Sequence, residues 1–119
     1  MKISKHNAEH YKWGADCDGW VMVQRLQQSV IHELMPPGTQ EVRHYHREAT
    51  QFFFVLHGEA VMEIEGEEIT LNAQEGIEVQ RGLCHCIHNR SQLPVEFLVI
   101  SNPTTKGDRV IESGGEAVS

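Results

Sequence analysis

The sequence predicts an all-β chain, a sandwich or barrel of short strands, and three observations carry that expectation. No apolar period of 3.6 residues is sustained along the 119 residues, so no long amphipathic helix is expected. Short runs rich in β-branched and aromatic residues recur instead, separated by turn residues. One of them sets Ala60, Met62 and Ile64 on one face and mostly glutamate on the other, the alternation of a half-buried strand.

The elements follow in chain order. Residues 8–13 read as a short turn. Residues 21–26 and 29–35 read as strands, and Pro36-Pro37-Gly38 stops the second sharply. The most hydrophobic run, residues 51–56, is closed by Gly58. The alternating strand over residues 59–65 turns at Gly66, and Ile69 and Leu71 continue on the returning strand. Residues 77–79 and 84–88 supply two more short strands. Residues 95–100 are apolar at nearly every position. This run and residues 52–56 are expected to be covered on both faces, which in so small a chain requires a second sheet or a second subunit. A homodimer is therefore expected. The organisation predicted is an N-terminal arm over residues 1–20, a β-barrel over 21–101 and a partly flexible tail over 102–119, polar from Ser113 onward. Trp13, Cys17 and Trp20 read as hydrophobic anchors of the arm.

Composition bounds the function. At 119 residues, 39% hydrophobic and 23% charged, the chain suits one domain with its own core. A formal net charge of −7 and the lack of any basic run argue against nucleic acid or an anionic membrane surface as partner. The longest apolar stretch, residues 52–56, is too short to cross a membrane. Three cysteines, Cys17, Cys84 and Cys86, form no disulfide framework, so a reducing, cytoplasmic location is expected.

The histidines point to chemistry. His44-Tyr45-His46 puts two imidazoles on one face of an extended segment, a face shared with Val42. Two convergent imidazoles on a rigid scaffold are the minimum for a transition-metal site. Gln51 follows five residues after His46, with the parity of Phe53 and Val55. His85 enters a strand from the turn at Gly82 and shares parity with Ile87. Glu48 stands two residues after His46 and competes for the carboxylate role, as a ligand or as an orienting group or general base. Cys84, Cys86 and His88 alternate onto one face and outline a second arrangement of soft ligands, which lacks a clear fourth partner. His6, His10, His32 and His57 have no constellation around them.

These residues resemble the cupin superfamily. Its first motif is similar to Gly38, His44-Tyr45-His46, Gln51 and Gly58, with glutamine where the family expects glutamate. Its second is similar to Gln80-Arg81-Gly82, His85 and Asn89, with Gln80 where the family has proline and Gly76 at a shorter gap than the motif's leading glycine. The likeness covers residues 30–101. It implies a jelly-roll barrel, or double-stranded β-helix, with His44, His46 and His85 holding one divalent transition metal (Fe, Mn, Ni, Cu or Zn) and Gln51 in the fourth position. Four neutral ligands would leave the ion's charge of +2 uncompensated, favouring anionic ligands and acidifying bound water. A small-molecule dioxygenase, lyase, isomerase or decarboxylase is implied, with Glu48 or Tyr45 moving protons. A barrel that binds a small molecule without turnover is the alternative.

Overall fold

In the computed structural model, which describes residues 1–112, eleven strands form two antiparallel sheets. They are β1 (Glu9–Trp13), β2 (Cys17–Gln24), β3 (Ser29–Met35), β4 (His44–Tyr45), β5 (Thr50–His57) and β6 (Ala60–Ile64), then β7 (Glu67–Leu71), β8 (Gly76–Val79), β9 (His85–His88), β10 (Val95–Asn102) and β11 (Val110–Ile111). The larger sheet runs β1-β2-β3-β10-β5-β8 and the smaller β11-β4-β9-β6-β7. Sequence neighbours repeatedly lie in different sheets, the winding of a double-stranded β-helix jelly roll.

Strand parity builds the core between the sheets. Along β10, Val95, Phe97, Val99 and Ser101 are buried while Leu98 and Ile100 are half-buried. Phe97, Met35, Met62 and Ile87 are fully enclosed, at 0% exposure, so truncating Phe97 would cost about 3–5 kcal/mol. Gly58, with φ +90, passes so close to the next strand that a Cβ there would stand 2.6 Å from the Pro94 carbonyl oxygen. No residue but glycine fits that crossing.

Several expectations are revised. The turn expected over residues 8–13 is strand β1, paired to β2 with Tyr11 opposite Gly19. The Tyr11 ring lies where a Gly19 side chain would be, with a Cβ only 2.3 Å from its Cζ, so glycine lets the ring fold flat over the strand. The segment read as an arm thus adds β1 and the first half of β2 to the larger sheet. Within the single chain, residues 52–56 and 95–100 leave their outer face partly open, as expected of a face for a second subunit: Phe52 is 39% exposed, beside half-buried Phe54, Leu98 and Ile100. Val42 is not inward but 55% exposed, because the chain is still irregular before β4 begins at His44. Part of the region read as a tail returns to the fold as β11 against β4. The polar stretch from Ser113 lies outside the described residues.

Candidate metal centre

Two strands bring the imidazoles together. His44 opens β4 and is paired in register with His85, which opens β9. His46 follows as β4 ends. Their ring centroids are 4.5 Å (His44–His85), 4.9 Å (His44–His46) and 5.8 Å (His46–His85) apart. All three are buried, and their candidate ligand atoms lie within 4.8 Å of one another.

Each ring is fixed from behind. His44 Nδ1 meets the Val42 carbonyl at 2.7 Å, His46 Nδ1 the Asp108 carbonyl at 2.6 Å, and His85 Nδ1 the Leu83 carbonyl at 3.0 Å. A carbonyl only accepts, so each Nδ1 carries the proton and each Nε2 presents its lone pair. Burial pushes all three imidazoles below their ordinary pKa, His44 to about 3, so they are neutral at pH 7.

Gln51, on β5 of the opposite sheet, completes the cluster. Its Nε2 donates to Ser101 Oγ at 3.1 Å, which leaves Oε1 facing His85 Nε2 at 3.1 Å. With Nδ1 protonated, that contact sets acceptor against acceptor. His46 Nε2 is buried with no partner at all. Convergent lone pairs with no proton between them fit a divalent cation, and an imidazole-rich set with one amide oxygen suits Zn, Cu, Fe or Ni.

His44, His46 and Gln51 line a cavity of about 210 Å³. The rest of its lining carries charge. Tyr11 on β1 donates to Glu33 Oε2 on β3 at 3.1 Å, and Glu41, before β4, accepts from the Ile87 N–H at 3.2 Å. Arg109 reaches the same cavity from the segment before β11. Burial pushes the Glu33 carboxyl up to about 7, against the Tyr11 hydrogen bond and the Arg109 charge. Burial and then the Glu33 charge push Glu41 up to about 8. Burial foremost also raises the Tyr11 phenol.

Asp108 clips the site from the returning C-terminal segment. Its Oδ1 accepts from Arg47 N at 2.8 Å, and its Oδ2 accepts from Glu48 N at 2.9 Å and Ala49 N at 3.1 Å. Burial opposes its ionisation, yet these three donors and the His46 ring hold the carboxyl below its usual value. One residue therefore pins both the His46 ring and the loop that leads from His46 to Gln51.

The structure brings His44, His46, His85 and Gln51 together. It does not bring Glu48 or Tyr45 into the cavity: Glu48 is exposed on the clipped loop, and Tyr45 has the opposite strand parity to His44. Among the described residues the three histidines form the one group placed to hold a metal; Cys84, Cys86 and His88 do not. Cys86 is buried with its Sγ 2.9 Å from the Glu41 carbonyl. His10 and His32, without a constellation in the sequence, are satisfied by Asp18 and Glu96 at 2.7 Å each. Glu33, Glu41, Arg109, Asp108 and Tyr11 escaped the sequence reading. Glu33 alone left a signal there, an acid sharing the parity of Ile31 and Met35 on an otherwise apolar inward face.

Comparison with known proteins agrees with this geometry. The Cupin domain family matches residues 31–101. The chain is 31% identical over 72 residues to the tetracenomycin polyketide synthase protein TcmJ of Streptomyces glaucescens, a match covering 60% of this chain and 48% of that protein, so it spans about half of that relative's length. It is 23% identical over 111 residues to an uncharacterised protein of Methanocaldococcus jannaschii, covering 87% of this chain and 89% of the relative. Among solved structures, KdgF from Halomonas superposes with a TM-score of 0.81 at 12% identity, over 90% of this chain and 98% of that one. A predicted oxalate decarboxylase from Thermotoga maritima superposes with a TM-score of 0.78 at 18% identity, over 87% and 100%. At such identities the superpositions speak for the fold alone. The family match runs from β3 to β10 and holds both histidine motifs, and on that ground the chain belongs to the cupin family.

Proposed function

We propose that this cupin holds one divalent transition-metal ion through His44, His46 and His85, with Gln51 Oε1 as fourth ligand, and binds or transforms a small molecule in the adjoining cavity. The observation that carries this is the set of three imidazoles tied by Nδ1 to backbone carbonyls, their Nε2 lone pairs converging and that of His46 unpartnered. A divalent ion at that point supplies Lewis acidity and lowers the pKa of bound water. The carbonyls hold each ring in one tautomer, and the Ser101 hydroxyl holds the Gln51 amide with its oxygen inward.

Elemental analysis of protein purified without chelator tests the reading, with near one equivalent of metal per chain expected. His44→Ala combined with His85→Ala should lose that metal and keep the β-rich circular dichroism spectrum. A preparation that is metal-free and also ignores added Fe, Mn, Ni, Cu and Zn would overturn it.

The assembly and setting belong to the same proposal. The outer face of β5 and β10, where Phe52 pairs with Ile100 and Phe54 with Leu98, supports a homodimer covering that face. Light scattering at twice the chain mass is the expected result. Three free cysteines support a reducing compartment. No helix among the described residues is long and apolar enough to cross a membrane.

A further inference from the structure

We propose that Arg109, Glu33, Glu41 and Tyr11 form a ligand-reading wall of the cavity that His44 and His46 also line, and that it selects a small monocarboxylate bearing a neighbouring hydroxyl. This rests on the cavity being the ligand site, as proposed above, but none of the four residues belongs to the metal ligand set.

Charged side chains are rarely turned toward a protein interior without partners. At this cavity half-buried Glu33 on β3 and Glu41 on the approach to β4 do so, joined by half-buried Tyr11 on β1 and by Arg109, an exposed residue on the approach to β11 whose side chain also lines the cavity. Their mutual hydrogen bonds do not exhaust them. Glu33 accepts from Tyr11 through Oε2 and Glu41 from Ile87 through Oε1, so among the described residues Glu33 Oε1 and Glu41 Oε2 remain without a donor. Arg109 forms no ion pair with any described carboxylate, while its surface neighbour Arg43 is paired to both Glu63 and Glu112. A second unpartnered group, His46 Nε2, faces the same space and belongs to a residue only 5% exposed.

The chemistry of the wall describes its ligand. A planar guanidinium with free donors matches a carboxylate, which can accept two parallel hydrogen bonds. The two carboxyls offer acceptors to a hydroxyl. Ile31, Phe53 and Val99 give a short carbon skeleton an apolar surface. At about 210 Å³ the cavity lies below the roughly 300 Å³ at which pockets begin to take drug-sized molecules, so the ligand is compact. The same carboxyls exclude a second anionic group. Burial raises Glu33 to about 7 and Glu41 to about 8, so this exclusion acts through their ionised forms and is complete only above pH 8. The uncompensated metal charge read from Gln51 favours anions in general; the wall narrows that to one anionic group placed toward Arg109.

The test titrates protein loaded with Zn(II) alone, its zinc counted by elemental analysis, with lactate, lactamide and malate by calorimetry at about pH 9, where Glu33 and Glu41 are both ionised. Lactate is expected to bind at least tenfold more tightly than its neutral amide and at least tenfold more tightly than the dicarboxylate. The metal itself favours an anion, so Arg109→Gln isolates the wall: it should cut the preference for lactate over lactamide at least fivefold. Glu33→Gln with Glu41→Gln should raise malate affinity at least tenfold; if that pair melts below the wild type, Glu41→Gln alone should raise it at least threefold. A wild-type preference under tenfold against either analogue, or no lactate binding, overturns the proposal. So do preferences that survive these substitutions. If zinc loads and the preferences are missing, the wall is wrong and the metal reading stands. If zinc does not load, the metal reading fails, and the same titrations on the metal-free protein decide the wall.

Discussion

One group at the cavity is three clustered imidazoles, neutral at pH 7 and each tied to a backbone carbonyl, two of which line it; the other is two carboxyls, a phenol and a guanidinium, drawn from distant parts of the chain. The difference lies in what holds each side. His44 and His85 are anchored by carbonyls only two residues behind them, at Val42 and Leu83. Tyr11 reaches Glu33 across 22 positions, and Asp108 holds His46 and its loop across about 60. Local backbone geometry sets the metal side, and sheet register with a returning C-terminal segment sets the charged side. Asp108, a long-range support of the metal side beside the Ser101–Gln51 bond, is where the two depend on each other.

The largest effect is expected at that joint. Asp108→Ala removes the acceptor of three loop N–H groups and slackens the carbonyl behind His46. Loss of such an outer support costs about 10–100-fold in metal affinity. Competition against a chromophoric chelator would measure it, with Asp108→Asn recovering part of the loss. An unchanged affinity in a normally folded variant would separate the joint from the site.

Gly19→Ala breaks the other side. The new Cβ would lie 2.3 Å from the Tyr11 ring, so the ring must leave Glu33. Overpacking of this kind costs about 1–3 kcal/mol. A lowered thermal midpoint with metal affinity unchanged is the expected pair of results. A parallel fall in metal affinity would show that the two sides are not separable.

The same division explains what could be read from sequence. His44, His46, Gln51 and His85 were legible because strand parity and short spacing determine them, and the family motif shares those spacings. The β-architecture was legible for a similar reason: alternation along residues 60–64 is local. Tyr11 was not, because it sits in a strand held by the bare Cα of Gly19, a tertiary contact with no hydrophobic period to announce it. Arg109 and Asp108 lie on an irregular segment, where neither period nor parity applies. Glu48 shows the converse failure. It would share the histidines' face only in an unbroken strand, whereas the chain bends at residues 47–48, where Asp108 captures the backbone and leaves the side chain outside.

Gln51→Glu sharpens the contrast by adding a negative charge to the metal side. A carboxylate in place of the amide oxygen compensates part of the ion's charge. Divalent-metal affinity should rise by about tenfold, or about 1.4 kcal/mol. Isothermal titration with Zn(II) reads this directly, and a weaker affinity would show that Gln51 does not face the ion.

The smallest effect is a reversal of sign with pH, read on protein stripped of metal. Glu41 is raised in the folded state from an ordinary 4.5 to about 8, by burial and then by Glu33. Its contribution to stability is therefore complete below pH 4.5 and is lost as pH climbs through 8. The histidines run the other way. Burial lowers their folded pKa below 6.5, so their contribution is complete above pH 6.5 and lost as pH falls. Glu41→Gln keeps an acceptor for the Ile87 N–H and removes only the ionisation. At pH 5 the variant should melt close to the wild type, and at pH 8 above it by about 4 °C, which corresponds to about 1 kcal/mol in a domain of this size. The acid-side decline below pH 6.5 should be the same in both proteins, because it belongs to the histidine side. A variant that instead lost the acid-side decline would show that the carboxyls and imidazoles titrate as one group across the cavity.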